Sequence, residues 1–483
     1  AIVRFINGCV LALLMMQSLV YLAQLVIAYL ELRQHRRSAS RTDPWWMLTS
    51  GVALPISILV PAHNEEETIV ENVRSMLALH YPDFEVIVIN DGSKDRTLAV
   101  LIDALQLQPV TRVWHADVAH KEIRGLYGSP RYPRLLVVDK LNGGKSDALN
   151  AGINLSRFPL FCAVNADSLL DHDSLLQVMR PFIEEPERMV AVGGRICIVN
   201  GCTVRAGQVV DIALPARPLA LLQSIEYIRA FLIARLAWSR LGAMLIISGA
   251  FGLFKRSAAI QVGGYSHDTV GEDMEIVVKL HRHFRERNQP YQMRFVADSV
   301  CWTQAPETLG ILRRQRSRWQ RGMMQSLAKH REMVFNPRYG PVGTLGMGYF
   351  FLFDIVGPVV DLAGLLLVPV SCYLGAVTPH FLLAWMALSF TYGVFLSASS
   401  LLLEMTVTRT TRPRDLALLT MSAVLENFGY RQLNSLWRIE GIWQFLRRQQ
   451  GWGAMQRTQF QKSVTPQSEK TPDAKKSLPP HQR

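Results

Sequence analysis

From Phe5 to Leu30 the chain carries no charged side chain. A helix over that run is long enough to cross the hydrocarbon core of a bilayer, so residues 1–31 are expected to form an N-terminal transmembrane helix. A cleavable leader would have a shorter apolar core and a small-residue cut site, which this stretch lacks. The basic segment "ELRQHRRSASR" follows, and by charge it should emerge on the cytoplasmic side. The sequence opens on Ala1 rather than Met, which leaves room for an upstream segment, another helix included.

A second apolar region, Leu345 to Leu403, is too long for one crossing and breaks at "VTPH", 377–380. It reads as a transmembrane hairpin over 341–404, with helices near 349–376 and 381–403. Lys329, Arg331 and Arg338 precede it, and Arg409, Arg412 and Arg414 follow it, so both ends should be cytoplasmic. Asp354 and Asp361 fall on one face of its first helix and should look into a bundle or a wet path. Residues 415–437 are apolar but carry Glu426, Asn427, Arg431 and Gln432. The expectation for 415–455 is therefore a membrane-associated or re-entrant segment. The Lys-, Pro- and Ser-rich stretch 463–483 should be a disordered tail.

Composition agrees with a mixed protein: 49% of residues are hydrophobic, yet mean hydropathy is only +0.13. The net charge of +13 fits cytoplasmic loops beside membrane helices better than nucleic-acid binding. Six cysteines form no CxxC pair, which argues against a zinc site or a disulfide framework.

Between 52 and 305 short β-branched runs alternate with amphipathic helices. "ISILVPAHNEEE", "FEVIVINDGSKDRT", "RLLVVDK" and "LFCAVNADS" each read as a buried strand, all but the third running on into a polar loop. The alternation predicts an α/β domain with a mainly parallel sheet covered on both faces, its ligands at the carboxyl ends of the strands. Asn64, Asp91, Lys140 and Asp167 sit at those ends. Neither GxGxxG nor GxxxxGK[ST] is present, so neither a dinucleotide fold nor a P-loop is indicated.

Carboxylates at strand ends, here Asp91 and Asp167, can hold sugar or nucleoside hydroxyls or a hard divalent cation. Lys145 follows two glycines that permit close backbone approach, and it suits a diphosphate. "TVGEDMEI" sets Glu272 and Asp273 at a loop-to-helix junction, where a carboxylate can serve as general base or simply complement the helix dipole. Taken singly, each of these residues also reads as a cap or turn residue.

"RRQRSRWQRGMMQS", 313–326, holds five arginines around one tryptophan. In a helix over 307–332, Gln315, Arg318, Trp319 and Gly322 share one face. The indole can stack on a sugar, Arg318 can bind a diphosphate, and Gln315 can bond hydroxyls. Arg313, Arg314, Arg316 and Arg321 are left for the lipid-facing or solvated side. An amphipathic interfacial helix over 306–340 is the plainer alternative, and the two are compatible.

Taken in order, "VPAHNEE", "VINDGSKDRT", "KLNGGKSDALN", "NADS", "SGAFGLFKR", "GEDMEI" and "QRSRW" resemble the membrane-embedded processive family 2 glycosyltransferases: the cellulose, chitin, hyaluronan and poly-N-acetylglucosamine synthases. The resemblance covers roughly residues 55 to 455. It implies a GT-A domain over 52–305 plus an α-helical transmembrane region, in an integral protein of a bacterial-type inner membrane with the catalytic domain cytoplasmic. It also implies a nucleotide-sugar donor, usually a UDP-sugar, and a Mg2+ or Mn2+ cofactor. Asn64, Glu65 and Asp91 would lie near the uridine, Lys145 and Asn165 near the nucleotide, and Asp167 on the metal. Asp273 would deprotonate the acceptor hydroxyl, inverting an α-linked donor to a β-linked product. Gly249, Ala250 and Phe251 would border the growing glycan acceptor, and Gln315, Arg318 and Trp319 would hold it at the membrane entrance among lipids.

The sequence departs from the family at "NAD", where Asn165 takes the place of the first carboxylate of the usual DxD. No C-terminal domain of the cyclic di-GMP-binding kind is visible, which leans toward an aminosugar polymer over cellulose. Two rivals stand beside a processive synthase. One is a transferase moving a single sugar to a lipid-linked acceptor, against which "QRSRW" argues. The other is a silent membrane scaffold, against which Asp91, Asp167 and Asp273 argue. Few helices for a channel leave a partner subunit or a homo-oligomer open.

Overall fold

The computed structural model describes residues 2–39, 46–47, 51–375, 378–407 and 412–449. The expected tail at 463–483 and the end of the 415–455 segment lie outside the described residues.

The domain is built on a sheet whose strands are, in chain order, β1 (Ile56–Ala62), β2 (Phe84–Asp91), β3 (Gln108–Pro109), β4 (Ile123–Gly128), β5 (Leu135–Lys140) and β6 (Leu160–Val164). Then follow β7 (Leu169–Leu170), β8 (Met189–Ile198), β9 (Thr203–Arg205), β10 (Gln208–Asp211), β11 (Phe251–Lys255) and β12 (Gln292–Thr303). Ten of them form one sheet in the order β3-β4-β5-β2-β1-β6-β11-β8-β12-β7, while β9 and β10 pair separately. Strands β5, β2, β1 and β6 are parallel, as the repeated strand-helix pattern predicts. On both sides of these four the sheet departs from the mainly parallel expectation: β4 runs antiparallel to β5 and to β3, and β11 runs antiparallel to both β6 and β8.

The mixture has a consequence for the site. An antiparallel neighbour begins where its partner ends, so Phe251 pairs with Val164. Gly249 and Ala250, just before β11, are thereby set beside Asn165 and Asp167, just after β6. Alternation along β1 covers both faces of the sheet: Ile56, Ile58 and Val60 enter one core and Leu59 the other.

Among the described residues two helices are long and apolar enough to cross a membrane, Val10–His35 and Val342–Tyr373. The first belongs to a helix, Ile2–Ala39, that outruns the charge-free stretch. Its polar end docks on the domain, where Glu31 pairs with Arg240 at 2.5 Å and His35 with Asp298 at 2.5 Å. The second includes two π-helical stretches, Val342–Met347 and Phe350–Val356, before Gly357–Tyr373. A further apolar helix, Pro379–Val407, follows the expected break. The segment after it holds two helices, Pro413–Leu425 and Tyr430–Leu446. The chain turns at Gly429, whose φ of +90° suits a residue without Cβ. Asp354 and Asp361 do look inward: Asp354 pairs with Arg438 of the last helix, and Arg438 also acts on Asp361.

Candidate active site

The edge expected to take the nucleotide is assembled by the ends of β1, β2 and β5. Asp91 is 3% exposed and accepts from Lys140 Nζ at 2.7 Å, Gly143 N–H at 2.9 Å, Gly144 N–H at 2.7 Å and Asn142 Nδ2 at 3.2 Å. Its carboxylate thus folds the "KLNGGK" loop back onto β2. Lys140, fully buried, is shared with Asp147 at 2.5 Å. Gly144 adopts φ +88°, and a Cβ on Gly143 would strike Asp147 at 2.3 Å, so both glycines are required. Asn64, at φ +58°, accepts from Lys94 N–H at 2.8 Å and bonds Ser93 through its own N–H. Glu65 is buried, its N–H donating to Thr97 Oγ1 at 2.8 Å. Asn64, Glu65 and Asp91 therefore lie at one edge of the sheet, with much of their bonding capacity serving the loops that carry them.

Lys145, the first residue of helix Lys145–Leu155, links this edge to the next cluster. Its ammonium pairs with Glu272 at 2.9 Å and donates to Gly249 O at 3.2 Å. A Cβ on Gly249 would lie 2.7 Å from that ammonium. Asp273 opens helix Glu272–Glu286 and is oriented by two backbone donors, Gly249 N–H at 3.1 Å to Oδ2 and Met274 N–H at 2.9 Å to Oδ1.

Asp167 faces the same cluster. Burial pushes its carboxyl up, while the Lys145 and Arg318 charges pull it back. For Arg318 the balance is reversed: burial pushes the guanidinium down, and Glu272, Asp273 and Asp167 push it up. Three carboxylates and two cations, from four separate stretches of chain, thus converge. Ala250 is nearly buried, and Phe251 is fully buried in the core. The expectation that Phe251 touches an acceptor gives way to a packing role, because β11 turns its side chain into the sheet core.

The arginine helix, Leu309–Lys329, is two residues shorter at its start and three at its end than the predicted 307–332. Thr308 caps it, accepting from Ile311 N–H at 3.4 Å. Gly322 packs onto Gly271, directly before the acidic pair, so closely that a Cβ on Gly322 would sit 2.6 Å from Gly271 N. Gln325 Oε1 accepts from Val270 N–H at 2.9 Å, fastening the same loop. This contact brings Arg318 within electrostatic reach of Asp273, on the helix face that Gln315 and Trp319 share.

Arg316 and Arg321 depart from expectation: both are buried. Arg316 pairs with Glu226 at 2.8 Å and lies over the Trp319 ring at 4.5 Å. The reason is that other parts of the chain pack against these positions of the helix. Helix Tyr430–Leu446 covers it, Gly441 abutting Ser317 and Gln320, and Arg438 Nε donates to Gln320 Oε1 at 3.0 Å. Arg313 and Arg314 are exposed as expected. Trp319 itself is 36% exposed, which leaves part of the indole available for stacking.

Among the described residues no three His, Cys, Asp or Glu side chains gather as a metal cage. The donors present are the carboxylate of Asp167 and the amide of half-buried Asn165, both just beyond β6. Few, hard oxygen donors suit Mg2+ or Mn2+, which complete their shells with phosphate and water. The residues therefore fit such an ion when a diphosphate accompanies it.

Sequence reasoning missed Gln325 and the Gly271–Gly322 contact, and it took Glu272 as an alternative to Asp273 and not as the partner of Lys145. The glycines on either side of that contact were visible as letters; their meeting was not.

Residues 57–262 match the Glycosyl transferase family 2 model, and residues 161–403, half of the chain, match Glycosyl transferase family group 2. The chain belongs to the family 2 glycosyltransferases. Within that family it is similar to the poly-beta-1,6-N-acetyl-D-glucosamine synthase of Staphylococcus epidermidis, 30% identical over 267 residues, 55% of this chain and 54% of that one. The synthase of the same name from Staphylococcus aureus strain COL is 31% identical over 269 residues, with the same coverage. The chain spans about half the length of the curated relatives it matches. In fold it resembles the mannosyltransferase PcManGT of Pyrobaculum calidifontis, solved with GDP-Man and Mn2+, at TM-score 0.51 and 16% identity over 91% of this chain and 99% of that one. The mixed sheet is of the GT-A type that this family carries.

Proposed function

We propose that this chain is an inverting membrane glycosyltransferase that takes a nucleotide-sugar donor, UDP-N-acetylglucosamine or a related UDP-sugar, and extends a β-linked polysaccharide that it also helps to translocate. The observation that carries the reading is the convergence of Asp167, Lys145, Asp273 and Arg318 beside a partly exposed Trp319, next to long apolar helices. The synthases it is similar to support N-acetylglucosamine as the sugar. The apolar helices Val10–His35 and Val342–Tyr373 support residence in a membrane, with the catalytic domain on the cytoplasmic side.

The chemistry follows from the residues. Asn64, Glu65 and Asp91 border the nucleoside, and Lys145 and Arg318 face the diphosphate, whose charge grows as its bond to the sugar breaks. Asp167 and Asn165 would hold a divalent ion, which would supply further neutralisation of that charge. The acceptor hydroxyl oxygen attacks the anomeric carbon from the face opposite the diphosphate. As that bond forms, the hydroxyl proton passes to Asp273 and the nucleoside diphosphate leaves with the bonding pair, inverting the centre. Trp319 stacks on the acceptor end and holds it in line.

The test is incubation of the full chain in lipid nanodiscs with a panel of radiolabelled nucleotide sugars and Mg2+ or Mn2+, followed by sizing of the product. A long polymer from UDP-N-acetylglucosamine is expected. Transfer of single sugars to lipid, or no transfer from any donor, would overturn the reading.

A further inference from the structure

A π-helical stretch, Ile228–Ile233, interrupts the helix running from Pro218 to Arg240. Such bulges recur at functional sites because they re-aim side chains. Just beyond the bulge, the Arg235 guanidinium lies 5.7 Å from the Phe231 ring. Phe231 meets the Trp319 indole edge-on at 6.2 Å, and Arg316 lies over that indole at 4.5 Å. Cation, ring, ring and cation thus form a ladder.

The two cations differ. Arg316 is buried and held by Glu226. Arg235 is half-buried, and among the described residues no hydrogen bond or ion pair is found for it. Burial pushes its guanidinium down to about 10, against the pull of Asp273 and Asp354, so it stays charged at neutral pH. Of those two carboxylates one belongs to the reacting edge and the other to the apolar helix Val342–Tyr373, so both lie within electrostatic reach of Arg235. One turn before Trp319, Gln315 Oε1 is buried with no hydrogen-bond partner among the described residues. A guanidinium with donors to spare, an orphaned amide oxygen and two rings suit a pyranose, which offers hydroxyls and an apolar C–H face together. A lipid tail would leave Arg235 and Gln315 unmet.

We infer that Arg235 and Phe231 complete, with Trp319, a second acceptor subsite that receives the sugar behind the one being extended. Arg235 donates to hydroxyl or acetamido oxygens of that sugar. The inference rests on the reading of the chain as a polysaccharide synthase.

The experiment measures transfer from UDP-N-acetylglucosamine to a β-1,6-linked N-acetylglucosamine tetramer by the full chain in nanodiscs, with Arg235→Met, Arg235→Lys and Phe231→Leu. Losing a charged hydrogen bond should raise the tetramer half-saturation of Arg235→Met about tenfold, well beyond any change in donor half-saturation. Arg235→Lys should recover part of that loss, and Phe231→Leu should weaken the tetramer more than a monosaccharide acceptor. Unchanged tetramer half-saturation, or parallel loss for tetramer and monosaccharide, overturns the subsite. Failure of the unsubstituted chain to transfer from any donor overturns instead the function on which the subsite rests.

Discussion

The two halves of the cleft are built by different means. The donor half comes from the ends of adjacent parallel strands and a short loop, and backbone N–H groups do much of the fastening: Gly143 and Gly144 both donate to Asp91. The acceptor half is assembled from helices far apart in sequence, held by side-chain pairs and two glycine contacts. The donor half should therefore answer to substitution chiefly in stability, and the acceptor half chiefly in rate.

The largest effect should come where both halves meet the reacting bond. Asp273→Asn keeps one of the two backbone hydrogen bonds, because its amide nitrogen cannot accept the other, and it loses the base; transfer should fall about a thousandfold, about 4 kcal/mol in barrier. Nucleotide titration should find donor affinity within about twofold; normal polymer yield from this variant in membrane vesicles would remove Asp273 from the role. Next, Asp91→Ala removes one of the two carboxylates that pair with the buried Lys140 and frees the loop. Chemical unfolding should show a loss of about 3 kcal/mol. Full stability with lost nucleotide affinity would instead make Asp91 a ligand contact and erase the contrast.

Gly322→Ala tests the other half. Its methyl group would meet Gly271 backbone at 2.6 Å, pushing the arginine helix off Asp273. A shift of about 1 Å costs about a hundredfold in rate, with donor affinity little changed. A variant as fast as the parent would show that some other contact sets the spacing.

The smallest effect concerns acidity. His281, on the helix that Asp273 opens, pairs through Nε2 with Met244 O at 2.9 Å and through Nδ1 with the Tyr291 hydroxyl at 2.7 Å. Burial pulls it down to about 4 from the ordinary 6.5. The folded state thus binds this proton less readily than the unfolded one, and stability is full above pH 6.5 and falls as pH drops from 6.5 toward 4. At pH 5.5 the loss should be about 1 kcal/mol, seen as a lower melting temperature that His281→Gln makes less pH-dependent.

Much of this architecture was legible in the letters. The continuous apolar runs in "ISILVPA" and "FEVIVIND" mark strands buried on both faces, charge-free runs mark the apolar helices, and polar residues at strand ends mark the edge of the cleft. The second half of the sheet was harder to read. Nothing in "FGLFK" says that it runs antiparallel to β6, because direction in a sheet is set by the path of the connecting chain and not by side-chain periodicity. The arginine helix shows the same limit. Its 3.6-residue period correctly grouped Gln315, Arg318, Trp319 and Gly322, but it could not tell that Arg316 would be buried against Glu226.

By itself the sequence determined the kinds of element, the side chains able to do the chemistry, and their order, because local propensity and polarity act over a few residues. Only the tertiary structure decided that Gly249 lies beside Asp273, that Gly322 touches Gly271, and that Arg235 stands over Phe231. These meetings join residues tens of positions apart or re-aimed by a π-bulge, and they depend on packing distances of a few ångströms that no local pattern encodes.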